Sequence, residues 1–81
     1  MKKNYSLPDK GISWGLEYSL VYGKAINSDD WIVWDRHTRK IIEVFIHKPN
    51  VHGWSDAEDK AKERSKPLDY YMNPAIFYLI G

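Results

Sequence analysis

Two short runs of β-forming residues, Trp31-Ile32-Val33-Trp34 and Ile41-Ile42-Glu43-Val44-Phe45-Ile46, are separated by the charged stretch Asp35-Arg36-His37-Thr38-Arg39-Lys40. A connection of this length between two such runs predicts a β-hairpin. The stretch has no Asn-Gly or Asp-Gly pair, so the turn is expected to be longer than two residues, with its charged tip in solvent. Large side chains at every position of Trp31–Trp34 predict a strand buried on both faces.

The rest of the chain has to be built around this hairpin. From Trp14 the even positions Trp14, Leu16, Tyr18, Leu20 and Tyr22 are apolar or aromatic, a period of two that predicts a half-buried strand. The spacing of Ile12, Leu16 and Leu20 also suits a helix, so segment 12–26 is open to either reading. Ser55 with Glu58 three residues on has the capping-box pattern, and a helix is expected from about Asp56 to Ser65. Asp56–Lys60 and Glu58–Lys62 have the favourable acid-before-base spacing on it, and Pro67 ends it. Ala57 and Ala61 are its only small apolar residues, which predicts a narrow stripe held close to the sheet. Ala75 to Ile80 reads as a last strand, apolar on both faces and hence central or covered.

The expected fold is therefore α+β. The order is β-β-β-α-β, with an antiparallel or mixed sheet of three to four strands covered by one helix. With 81 residues the chain is one domain, 1–81, in which residues 1–11 form a leading arm whose order depends on docking. Aromatic residues make up 15% of the chain, more rings than one small core needs, so some are expected at the surface as contacts.

Charge and composition remove several function classes. Twelve basic against eleven acidic residues leave a formal charge of +1, without the strong basicity of a dedicated nucleic-acid binder. With no cysteine, disulfide scaffolds and thiolate metal sites are excluded, and a cytoplasmic setting is expected. No apolar run approaches the length of a membrane span, and no signal-peptide core follows Met1-Lys2-Lys3, so no membrane partner is expected.

No constellation for catalysis emerges. His37, His47 and His52 lack the spacing of a metal site, and no metal or other cofactor is implied. Ser55, His52 and Asp56 assemble a triad on paper only, because no strained nucleophile turn accompanies them and Ser55 is explained as a helix cap. The five glycines match no phosphate loop. Asp29-Asp30 and Glu58-Asp59 read as solvated charge. The chain is expected not to be an enzyme.

Two surfaces remain. Tyr5, Trp54, Tyr70 and Tyr71 lie in or beside segments where a core need not claim them, and Lys60 and Arg64 lie on the charged helix face. Together they are the candidate protein-binding residues. Trp31, Trp34, Arg36, His37, Arg39 and Lys40 instead combine rings with basic groups, a pattern suited to stacking on bases and meeting phosphates, and mark the hairpin as the alternative, nucleic-acid-binding site. The run Trp31–Ile46, with Gly53-Trp54-Ser55-Asp56-Ala57-Glu58 and Ala61, resembles the sheet-then-helix DNA-binding module at the start of many phage integrases. That likeness spans about half the chain, leaves Ile76–Ile80 without a counterpart, and does not amount to membership. In size and style the whole chain also resembles small phage-encoded inhibitors of host enzymes or defence complexes. That likeness implies a protein-binding module from a phage or mobile element, acting by steric occlusion of a larger protein or complex. Homodimerisation is compatible with either surface.

Overall fold

The computed structural model describes residues 4–68 and 78–81. It contains β1 (Gly11–Ser13), β2 (Leu20–Lys24), β3 (Trp31–Asp35), β4 (Ile41–Phe45), α1 (Ala57–Arg64) and β5 (Tyr78–Ile80). The strands form one sheet in the order β4-β3-β2-β1-β5, and every neighbouring pair is antiparallel. The α+β class holds, with five strands in place of three or four.

The additional strand is β1, just ahead of the Trp14–Tyr22 segment, which does not form the continuous strand its alternation predicts. Residues 14–19 form a turn between β1, which ends at Ser13 just ahead of the segment, and β2, which starts at Leu20. Local polar bonds and one tertiary bond outweigh the periodicity. The Ser13 hydroxyl donates to the Gly15 carbonyl at 2.7 Å and accepts from the Gly15 amide at 3.2 Å, and the Tyr18 amide closes on the Gly15 carbonyl at 3.2 Å. Trp14 turns away from the sheet toward the end of α1, where its indole N–H donates to the Lys62 carbonyl at 2.9 Å. The Lys66 ammonium lies 5.4 Å from its ring centroid.

The predicted hairpin is present as β3 and β4. β3 is buried through Ile32, Val33 and Trp34 because it is sandwiched. On one face Tyr22 and Val33 pack with Ala61 of α1, joined by Ile12, Leu20, Trp31 and Phe45. On the other, Val21, Ala25, Ile32 and Trp34 are covered by Tyr5 and Leu7 of the leading arm, with Val44 and Ile80. Only an alanine stripe faces the sheet from α1, so the helix crosses β2, β3 and β4 closely, as its sequence predicts.

The arm forms the second cover. The Ile26 amide donates to the Ser6 carbonyl, the Ser6 amide donates to Asn27 Oδ1, and Asn27 Nδ2 donates to the Asn4 carbonyl, each at 2.9 Å.

Three local expectations need correction. α1 begins at Ala57 with Asp56 at the N-cap and no side-chain cap bond, while Ser55 Oγ accepts the Ala57 amide at 3.3 Å in place of the expected capping box. Asp30 is not solvated charge: it is 7% exposed and is used as a structural acceptor. The last strand is not central, since β5 sits at the sheet edge beside β1 with Leu79 in solvent. Ala75–Phe77 of the expected strand lie outside the described residues.

Candidate functional site

The hairpin that carries the basic cluster is consumed by the fold. Trp34 is 0% exposed, its indole fitting over the backbone of β1 and β2, where a Cβ on Gly11 would meet ring carbon Cζ2 at 2.7 Å. Trp34 is therefore corrected from candidate contact to core residue. Trp31 is half-buried against Tyr22, with ring centroids 6.1 Å apart. Arg36 lies over the 14–19 turn, its Nη2 donating to the Leu16 carbonyl at 2.6 Å. Arg39 adopts the left-handed region at φ 60°, and its guanidinium reaches the carbonyls of Leu7, Pro8 and Asp9, most closely Pro8 at 3.0 Å. Asp35 anchors the turn by accepting the His37 amide at 2.8 Å and the Thr38 amide at 3.2 Å. The Thr38 and His37 amides hold its carboxyl below the usual carboxylate range, outweighing a small opposing effect of desolvation. Of the six residues proposed for nucleic acid, His37 and Lys40 stand exposed, and among the described residues neither side chain makes a hydrogen bond or ion pair.

The protein-binding set is split. Tyr5 is half-buried in the arm-side core, and its hydroxyl donates to Asp30 Oδ2 at 2.7 Å, so the fold uses it as a clasp. That hydrogen bond, followed by burial and the charge of Asp30, raises the Tyr5 pKa. Lys60 pairs with Asp56 at 3.3 Å on the solvent face of α1. Arg64 Nε donates to Glu43 Oε1 at 2.8 Å and ties α1 to β4. Tyr70 and Tyr71 lie outside the described residues.

Trp54 is 77% exposed. It is presented by a closed turn in which the Asn50 amide donates to the Trp54 carbonyl at 2.7 Å, and Asn50 Oδ1 accepts the His52 and Trp54 amides at 2.9 and 3.1 Å. Gly53 makes the turn possible, its φ of 81° lying where a side chain is strained. Trp54 also lines a shallow cavity of about 350 Å3 with Lys48, Asn50, Ser55, Asp56 and Asp59.

The structure adds residues that sequence reasoning did not single out. β4 is a terminal strand, and among the described residues it is bonded to β3 on one side only. Ile41 and Ile42 are exposed on it, and Ile46 and Val51 follow in the segment that leaves it and leads to the already named Trp54. The register steps from Val33 opposite Glu43 to Trp34 opposite Ile41, leaving Ile42 as the extra residue of a bulge, 42% exposed. The available signal was the placement of Lys40 before the run and Lys48-Pro49 after it, a common flanking pattern for an edge strand.

Among the described residues no three His, Asp or Glu side chains converge as a metal site requires, and no helix is long and apolar enough to cross a membrane. No protein-family model, curated protein or solved structure matches this chain.

Proposed function

We propose that the chain is a non-catalytic protein-binding module that docks through the β4 edge and the Trp54 turn and acts by occluding a surface on a larger protein or complex. The observation that carries this reading is the exposed apolar margin of Ile41, Ile42, Ile46, Val51 and Trp54 beside a strand edge that is unpaired among the described residues. Aliphatic and aromatic side chains left in water at such an edge favour association, because burying them removes apolar surface and satisfies backbone groups together. The commitment of Trp34, Arg36 and Arg39 to the fold weighs against the hairpin as a nucleic-acid surface. In character this is an inhibitor of a host enzyme or defence complex, encoded by a phage or mobile element.

The test is recovery of the tagged protein from a nuclease-treated bacterial lysate, with Ile42→Lys and Trp54→Ala variants alongside. A stoichiometric protein partner that survives nuclease and is lost in at least one variant is expected. Recovery of nucleic acid, with co-purifying proteins lost on digestion, would return the function to the hairpin.

A further inference from the structure

Building on the protein-binding reading, we infer that the partner contributes an extended segment, alternating acidic and apolar residues, which adds as a strand to the open edge of β4. In antiparallel pairing the directly opposed residues share a face, so the β3 register sorts the side chains of β4. Glu43 and Phe45 lie on the α1 face, opposite Val33 and Trp31, while Val44 and Ile41 lie on the arm face, opposite Ile32 and Trp34. A strand added outside β4 continues both faces. On the arm face it meets Ile41 and Val44, with the exposed Ile42 of the bulge beside them, and these favour apolar neighbours.

On the α1 face it meets Arg64. Its Nε is occupied by Glu43, and its two terminal nitrogens have no protein partner among the described residues. A carboxylate on the added strand beside Glu43 fits those donors, and the guanidinium then bridges two acids. Lys40 stands exposed at the start of β4, so the hairpin end of the edge also carries a positive charge. At the other end Lys48 lines a cavity with Asp56 and Asp59.

The lysines that flank β4 disfavour a second copy of this chain. Two β4 strands paired antiparallel about their centres bring Lys40 of each toward Lys48 of the other. Like charges brought together across strands are destabilising. Lysines at a sheet edge are a recognised guard against self-pairing, and they leave the edge open to a partner of opposite charge.

The test selects peptides from a random linear library displayed against the intact protein. Clones in which Asp or Glu alternates with Val, Ile or Leu are expected. Binding of a selected peptide should weaken by at least about tenfold in Ile42→Lys and in Lys40→Glu combined with Arg64→Gln. Amide exchange of β4 should slow when the peptide is bound. Thermal melting of each variant confirms that it remains folded, the substituted side chains being partly or fully exposed. Failure to select any clone, clones without an acidic excess, or binding indifferent to both variants overturns the inference. So does a dimer in sedimentation that dissociates on Ile42→Lys, which would assign the edge to a second copy. A protein partner captured from lysate, lost with Trp54→Ala and retained with Ile42→Lys, overturns strand addition while leaving the protein-binding reading in place.

Discussion

Tyr5 and Asp30 are joined by a 2.7 Å hydrogen bond that locks the leading arm to the start of the central hairpin. Asp30 Oδ2 accepts this bond while Oδ1 accepts the His47 amide at 2.9 Å, so one buried carboxylate holds the arm and the exit from β4 together. Tyr5→Phe removes the hydroxyl and keeps the ring. It is expected to cost about 1 kcal/mol in urea unfolding at neutral pH. Because the folded-state pKa of Tyr5 is raised, its contribution is complete below the ordinary tyrosine value of about 10 and is lost as pH rises through the folded value. Tyr22 is raised as well, by burial and then by the charges of Glu58 and Asp59. Tyr5→Phe should therefore flatten the alkaline decline in stability without abolishing it.

The acid side is governed in part by Asp35, whose carboxylate is favoured in the folded state by the Thr38 and His37 amides. A lowered folded pKa gives stability that is present above the unfolded value of about 3.9 and is lost as pH falls through the folded value. The difference in urea midpoint between the natural chain and Asp35→Ala is expected to be steady from neutral pH down to about 4, then to shrink below it. A difference that grows on acidification would contradict this assignment.

Gly11→Ala and Gly53→Ala should destabilise for different reasons. A methyl group on Gly11 meets the Trp34 ring at 2.7 Å and Val21 Cβ at 2.8 Å, an overpacking expected to cost about 1–3 kcal/mol. Gly53 has open space around it but a φ of 81°, and its substitution is expected to cost about 1–2 kcal/mol through the backbone alone. Near-ultraviolet circular dichroism separates the two, because only Gly11→Ala disturbs a buried indole.

The tryptophans divide in the same way. Trp14→Phe loses the indole bond to the Lys62 carbonyl and is expected to cost about 0.5–1.5 kcal/mol. Trp54→Ala, at a side chain exposed to water, should change stability by no more than about 0.5 kcal/mol while reducing partner recovery. Thermal melts of the two variants provide the check. A Trp54→Ala protein as unstable as Trp14→Phe would make Trp54 a structural residue and not a contact.

The sequence by itself determined the elements whose signals are local. β-forming side chains on either side of a charged turn specify the β3–β4 hairpin, and Ala57 and Ala61 one turn apart specify a helix held close to a sheet. Tertiary structure alone decided the rest. Alternation over Trp14–Tyr22 is a local pattern, but Trp14 is drawn to the end of α1 by a bond to a residue 48 positions away, so the segment folds as a turn that leads into β2. Whether a strand is central or terminal depends on which strands pair. That is why the apolar Ile41–Ile46 run itself does not show that one side stays open, its signal lying only in the flanking Lys40 and Lys48-Pro49, and why the last strand was expected inside and lies at the edge. Trp34 and Trp54 are the same residue type in the sequence. The packing of the arm and the sheet around one, and the turn closed by Asn50 beneath the other, make the first a core residue and the second a surface one.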